Sequence, residues 1–419
     1  MSLCLSMIVK NEEHVIARCL RSVRPFIDSY SISDTGSTDN TIDIIREELA
    51  GIPGILTRDP WLGFGPSRNV PLRRATGTHV LSLDADEIIE HKGGPMQLSS
   101  QFDCFLVQQI QPPLTFWIHR IIRNDPRWSW KDRIHNYLDF DGTPTEGRVT
   151  NFQIRPFFDS HQNVSGNKYL GHLAHYESAE KTPRNVFYHA RTLDDIGGRE
   201  EEALKKYQER STMGGWDEEV YLSLWMVGHI MGKLGMSVDS VAAALFRAYI
   251  YRPSRLEALV ELCSVLRKNG KCEQSYNLSQ VDPKPTSDIL FSQPRCQWRI
   301  LEEHALAAYK LGKHSEAQEY FHKIAAYPLS ENDHVDQSLA RYQVGDYEGS
   351  LSAARSAIAI NPNLASAWTN MCAVYNTLGR FAEGKEAGEE ALRLQPDFQL
   401  AQNNLKWSLS ELAKSQSAG

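Results

Sequence analysis

The segment His79-Val-Leu-Ser-Leu-Asp84-Ala-Asp86-Glu87 runs an apolar stretch straight into two carboxylates at i and i+2. On extended backbone that spacing puts both side chains on one face, aimed at one ligand. Carboxylate oxygens suit Mg²⁺ or Mn²⁺, and such an ion in turn holds a diphosphate. The competing reading is an acidic turn capping a helix that begins near Glu87, since aspartate is a favoured cap.

Three other segments are polar in an informative way. The first apolar run ends in Lys10-Asn11-Glu12-Glu13, and the second in Asp34-Thr35-Gly36-Ser37-Thr38-Asp39. Asn11, Ser37 and Thr38 read as helix N-caps. Asp34 stands ahead of Gly36, where the chain can turn sharply and a carboxylate can accept hydrogen bonds from a bound base. The third segment, Gly63-Phe64-Gly65-Pro66-Ser67-Arg68-Asn69, departs from the dinucleotide G-x-G-x-x-G fingerprint because Arg68 takes the third glycine's place. Pro66 suits a first helical turn, which leaves Arg68 and Asn69 either facing a nucleotide or solvated.

The elements that must position these groups alternate. Leu3 to Val9, Tyr30 to Ser33 and His79 to Leu83 read as strands; Glu12 to Val23, Thr41 to Leu49 and Pro66 to Arg74 read as helices. Such alternation predicts a mostly parallel sheet with helices on its faces, and ligands bind such sheets at the carboxyl ends of the strands.

Beyond about residue 180 the strand pattern stops and a helical repeat begins. Gly345 and Gly379 are 34 residues apart, as are Tyr347 and Phe381, Ala357 and Ala391, and Pro362 and Pro396. That period is the signature of tetratricopeptide helix pairs: glycine at the inter-helix turn, alanine at close approach, proline at the end of the unit. Weaker copies are marked by Gly312, Gly270, Gly235 and Gly198, giving five or six pairs. The predicted organisation is an α/β domain over 1–180, a helical block over 181–280, a linker over 281–297 and a tetratricopeptide-like block over 298–419.

The bulk properties exclude several classes. With 41% hydrophobic and 23% charged residues the chain reads as globular, and no run approaches the roughly 20 apolar residues of a membrane span. A cytoplasmic location is the expectation. Seven cysteines, an odd number without a C-x-x-C pair, point to reduced thiols rather than a disulfide framework or a zinc cage. A net charge of −7 gives no overall pull toward nucleic acid.

The motifs Ser6-Met7-Ile8-Val9-Lys10-Asn11-Glu12, Asp34 to Asp39, Phe64 to Asn69 and Leu83 to Glu87, in that order, resemble the family-2 glycosyltransferases of the GT-A fold. The resemblance spans about residues 3 to 185. It is greatest to the branch with lipopolysaccharide-core sugar transferases and the peptide S-glycosyltransferases that make glycosylated bacteriocins. The resemblance implies metal-dependent, inverting hexosyl transfer from a nucleotide diphosphate sugar, foremost a UDP-sugar, to a protein, peptide or glycan acceptor. It also implies that Asn11 and Glu12 border the nucleoside, Asp34 pairs with the base, and Arg68 and Asn69 lie beside the nucleotide. Asp84 then reaches the ribose or the metal, and Asp86 ligates an Mn²⁺ or Mg²⁺ that bridges the diphosphate.

Downstream, Arg120-Ile-Ile-Arg123, Trp130 and Ile134-His135 are similar to that branch's arginine-rich strand and V-H-E motif. The resemblance makes His135 a further metal or diphosphate ligand, and places Arg123, Trp130 and His175 on the acceptor or diphosphate side. Lys181, Arg184 and Asn185 resemble its closing segment. Asn136 stands where the family has glutamate, so a different base is required; Asp132 is the nearby candidate, and its other reading is a surface ion pair with Arg127 or Arg133.

Two competing functions remain open at this level. One is a scaffold that binds partners, or a second copy of itself, through its repeats and carries a lapsed catalytic domain. The other is transfer to modified bases of nucleic acid, such as phage DNA, suggested by Arg120, Arg123, Arg127, Lys131 and Arg133 interleaved with Trp117, Trp128 and Trp130.

Overall fold

The computed structural model describes residues 1–111, 114–160, 168–284 and 293–417. The chain divides into two compact units, one centred on Met1–Leu234 and the other on Gly235–Pro285 with Arg295–Gly419. Part of the stretch expected as a linker, 285–292, lies outside the described residues.

In the first unit, β1 (Leu3–Val9) is buried along nearly its whole length, as a central parallel strand must be when both sheet faces are covered. It pairs in parallel with β2 (Ser29–Asp34) on one side and β4 (His79–Ser82) on the other. Beyond β2 lies β3 (Gly54–Arg58), an exposed edge strand whose weak apolar content left no sequence signal. With β5 (Glu87–His91), β6 (Cys104–Gln111), β7 (Leu114–Arg123) and β10 (Glu146–Pro156) the sheet has eight strands in the order β3-β2-β1-β4-β7-β6-β10-β5. The β3-β2-β1-β4 half is parallel throughout, and β7 joins β4 antiparallel. A separate ribbon pairs β8 (Trp128–Lys131) with β9 (Tyr137–Phe140).

Helix α1 (Ile16–Val23) buries Ile16, Cys19, Leu20 and Val23, the i, i+3, i+4, i+7 stripe of a helix lying on a sheet. It starts four residues later than its periodicity suggested. Helix α2 (Thr41–Glu48) follows β2, and α3 (Phe64–Arg74) begins just after Gly63, whose φ of 99° makes the turn. A strand, not a helix, begins at Glu87, which removes the helix-cap reading of Asp84 and Asp86.

Helices take over with α4 (Lys168–Ser178). Within the first unit α5 (Pro183–Ile196) and α6 (Glu200–Arg210) form a hairpin, followed by α7 (Asp217–Lys233). The second unit continues with α8 (Val238–Tyr251), α9 (Glu257–Lys268), α10 (Cys272–Leu278), α11 (Cys296–Lys310) and α12 (His314–Ile324). It closes with α13 (Glu331–Gln343), α14 (Tyr347–Ile360), α15 (Ala365–Thr377), α16 (Phe381–Leu394) and α17 (Gln399–Ser417). Gly198, Gly235, Gly270, Gly312, Gly345 and Gly379 each sit between two successive helices at φ from 68° to 80°, the left-handed conformation that favours glycine. The pattern of helix, glycine turn and helix therefore continues through the weak upstream copies. No helix among the described residues is long and apolar enough to cross a membrane.

Candidate active site

Strand register sets the geometry. Val9 pairs with Asp34, and Ser6 with Ser82, so counting along the parallel strands brings Asp34 and the Asp84–Asp86 segment to the same level on either side of the end of β1. These are carboxyl ends of parallel strands, where the alternation placed the site.

Asp34 is fully buried, and its carboxylate accepts the Gly36 and Ser37 amides at 3.2 and 3.1 Å. Gly36, at φ 112°, folds the chain back over it. The Arg58 Nε is 3.8 Å away. Beside it Asp59, which the sequence reading passed over, accepts bonds from Ser33, Thr57 and Arg74. The Arg74 guanidinium above all holds its carboxyl down at about 2.

Asn11, Ser37 and Thr38 are not helix caps. Asn11 adopts φ 56°; its amide donates to Ser37 Oγ at 2.9 Å and its side-chain oxygen accepts the Thr38 amide at 2.8 Å. The Glu12 amide donates to Thr41 Oγ1 at 2.8 Å. These bonds tie the loop after β1 to the loop after β2, so Asn11 and Glu12 stand next to Asp34.

Across β1, Asp84 forms an ion pair with Arg68, whose side chain is 9% exposed against 38% for Asp84. Burial raises the energy of the Asp84 charge, yet Arg68 and Arg120 hold this carboxyl below the usual range. Asp86 is buried, with the Ser160 amide 3.3 Å from its Oδ2. Glu87 lies beneath: its Oε2 accepts the Asp84 amide at 2.9 Å while the Asp84 carbonyl accepts the Glu87 amide at 3.1 Å. Burial pushes the Glu87 carboxyl up to about 7, against the pull of Arg120, with which it pairs. Burial foremost, and then Glu87, Asp84 and Asp86, also push the Cys19 thiol up.

Arg120 reaches this cluster because the sheet is irregular there. On β6 and β7, Phe105 pairs with Ile121 but Leu106 with His119, so Arg120 is the extra residue of a β-bulge. Bulges re-aim side chains, and this one delivers a buried guanidinium to Glu87 and to Gln109 at 3.2 Å. Glu87 and Arg120 are the members of this cluster that motif reading missed; the signal was only that Glu87 adjoins the aspartate pair.

A second cluster lies over the start of α3. The Gly65 amide donates to the Asp132 carbonyl at 2.9 Å and the Phe64 amide to the Arg133 carbonyl at 2.8 Å. A Cβ at Gly65 would lie 2.4 Å from that Asp132 oxygen, so only glycine lets the chain cross here. Asn69 is turned to this crossing, since its side-chain amide engages the Trp130 carbonyl and amide at 2.9 and 2.8 Å. Trp130 places its ring 5.0 Å from the Arg68 guanidinium.

Asp132 pairs with Arg184 at 3.0 Å, not with Arg127 or Arg133. Arg184 also donates to the His135 carbonyl at 2.9 Å and to Glu219 at 3.2 Å, and buried Glu219 in turn binds buried Arg210 at 3.0 Å. The His135 ring stacks on Tyr188 at 3.9 Å, near Tyr176 and His172. His175 packs on Tyr176, and burial, then Arg133, lower its pKa.

Two expected placements are corrected. Asp84, Asp86 and His135 do not gather as a ligand trio within 4.8 Å; His135 is held in its aromatic stack, and among the described residues the trio that does meet that distance is Cys104, His119 and Glu146. Arg123 pairs with His79, where β4 starts, so the antiparallel run of β7 carries it to the opposite end of the sheet from Asp84. There it bonds the Ser100 and Phe102 carbonyls. The basic run does not form a strip for nucleic acid either: Arg120 is buried on Glu87, Arg127 pairs with Asp125 at 2.7 Å, and Trp128 is buried.

Comparison with known proteins bears on this geometry, because residues 4–98, which hold Asn11, Asp34, Arg68, Asp84 and Asp86, match the family model for glycosyl transferase family 2. Residues 4–98 are a family 2 glycosyl transferase domain. Over 164 residues the chain is 32% identical to a TPR repeat-containing protein of Synechococcus elongatus, covering 36% of this chain and 39% of that one. It is 27% identical over 184 residues to the prophage-derived glycosyltransferase SunS of Bacillus subtilis, covering 43% and 42%. The match to an uncharacterized glycosyltransferase of Rickettsia typhi is 36% identical over 81 residues, 19% of this chain and 26% of that protein. The matched part thus spans about two fifths of the length of the first two relatives. Within the family 2 domain, Arg68 and the Asp84–Asp86 pair stand on the side of β1 opposite Asp34.

Proposed function

We propose that this protein transfers a hexosyl group from a nucleotide diphosphate sugar, a UDP-sugar foremost, to a protein, peptide or glycan acceptor, with inversion at the anomeric carbon. The observation that carries the reading is the convergence of Asp34, Arg68, Asp84 and Asp86 at the carboxyl end of the parallel half-sheet of a family 2 domain. On this reading Asn11 and Glu12, with Asp34 buried beneath them, take the nucleoside, and the Arg68–Asp84–Asp86 side takes the diphosphate.

Asp84 and Asp86 fit Mg²⁺ or Mn²⁺ in donor chemistry, because such ions are held by one or two carboxylates with the remaining positions filled by phosphate and water. A solvent-reachable Asp84 leaves room for those partners. Bound there, the ion would supply Lewis-acid neutralisation of the leaving diphosphate. Arg68, clamped between Asp84 and the Trp130 ring, is a fixed cation that stabilises the same growing charge. Arg120 and Glu87 position the Asp84–Glu87 turn from below. The cluster of Asp132, His135, His175, Tyr188 and Trp130 forms the acceptor side. Asp132 takes the acceptor's proton once the acceptor draws its carboxylate off Arg184, Asn136 being unable to do so. The helical repeats present surfaces of the kind that hold peptides, which favours a protein or peptide acceptor.

The test is thermal unfolding with UDP and Mn²⁺. A ligand at a hundred times its Kd adds about 2.7 kcal/mol, a shift of several degrees, and Asp86→Ala should abolish it. Slow hydrolysis of one donor among a panel of nucleotide sugars then identifies the sugar. Absence of any shift with wild type favours the scaffold reading, and salt-sensitive DNA binding favours the nucleic-acid acceptor.

A further inference from the structure

The trio Cys104, His119 and Glu146 belongs to no part of the machinery above. Its ligand atoms, one thiol, one imidazole and one carboxylate, lie within 4.8 Å of one another on three adjacent strands, β6, β7 and β10. Two register facts bring them together. Glu146 pairs with Cys104 directly, so both point to one face. His119 would point to the other face in a regular ladder; the extra residue Arg120 between Ile121 and His119 flips it onto the face of Cys104. The bulge that sends Arg120 to Glu87 therefore also assembles this trio.

We propose that Cys104, His119 and Glu146 form a zinc site with three protein ligands and a fourth position open to water, clamping β7, β6 and β10 at the irregular part of the sheet. Thiolate with imidazole selects zinc over Mg²⁺ or Mn²⁺, and zinc also accepts a carboxylate oxygen as its third protein ligand. His119 Nε2 and Glu146 Oε1 are 2.7 Å apart. An ion at about 2.0–2.2 Å from each holds such atoms roughly 3.4 Å apart, so a sub-ångström opening by two partly exposed side chains admits it. Cys104 is buried beside Trp128 and Phe140, and the ion displaces the thiol proton on binding. The site is distinct from the Asp84–Asp86 end: Cys104 pairs with Ile122, and Ile122 with Val80 near the start of β4, about 13 Å along the strand from Asp84.

The full chain, stripped with chelator, reloaded with a slight excess of Zn²⁺ and dialysed against metal-free buffer, should retain one zinc per chain by elemental analysis. Cobalt in its place should show the thiolate-to-metal charge-transfer band. Cys104→Ser should remove the band, and His119→Gln, at a half-exposed position where folding is not in question, should weaken zinc binding by at least about 100-fold. Asp86→Ala should leave zinc content and band unchanged, while abolishing the UDP and Mn²⁺ shift; that separates failure of this site from failure of the transferase reading. Substoichiometric zinc, a cobalt complex without the band, or zinc uptake indifferent to His119→Gln would each overturn the proposal.

Discussion

Replacing Gly65 with alanine probes how closely the 131–135 segment is pressed onto α3. The added Cβ would stand 2.4 Å from the Asp132 carbonyl oxygen and 2.7 Å from that of Lys131, where ordinary contact begins at 3.4 Å. About 1 Å of backbone movement is needed, and the 2.9 Å bond from the Gly65 amide to Asp132 must lengthen. Overpacking of this kind costs roughly 1–3 kcal/mol and the lost bond about 1 kcal/mol, against nearly 1 kcal/mol returned by alanine's better helix propensity. The net expectation is about 1–3 kcal/mol of destabilisation by urea unfolding. Gly171→Ala, also in a helix but with nothing within 4 Å of its Cβ, is the control and should stabilise by roughly 0.5–1 kcal/mol. Asp132 and Trp130 ride on the displaced segment, so donor turnover should fall about 100-fold, the effect of a 1 Å misplacement of reacting groups. If Gly65→Ala proves as stable as Gly171→Ala and turns over donor normally, the crossing does not position the site.

Arg123→Ala should leave the UDP and Mn²⁺ thermal shift intact while Arg68→Ala abolishes it, since Arg123 lies at the far end of the sheet and Arg68 on Asp84. Glu87 has its pKa raised on folding by burial, so its contribution to stability is complete below about 4.5 and is lost as pH rises through about 7. Glu87→Gln should flatten that part of the stability–pH curve, measured by urea midpoints between pH 4.5 and 7.5. Gly379→Ala places a side chain at φ 73°, and should cost about 1 kcal/mol or more in thermal unfolding although its Cβ meets no neighbour.

Much of this protein could be read from local pattern. An uninterrupted apolar run makes a central strand, a 34-residue period makes stacked helix pairs, and glycine at each inter-helix turn is required by a backbone angle that other residues adopt at a cost. The position of Asp34 and the Asp84–Asp86 pair at the carboxyl ends of parallel strands was legible for the same reason, because alternation tells where strands end. Register and bulges were not legible, because they depend on which strands become neighbours. One extra residue in β7 decides that Arg120 is buried against Glu87 and that His119 faces Cys104, while antiparallel pairing carries Arg123 away from the site its motif suggested. Partner choice was equally hidden. Asp132 finds Arg184, and Asn69 finds the Trp130 backbone, because chain crossings far apart in sequence bring those groups within hydrogen-bond reach. Local spacing specifies the chemistry a residue can do; only the packed sheet settles which neighbour it meets.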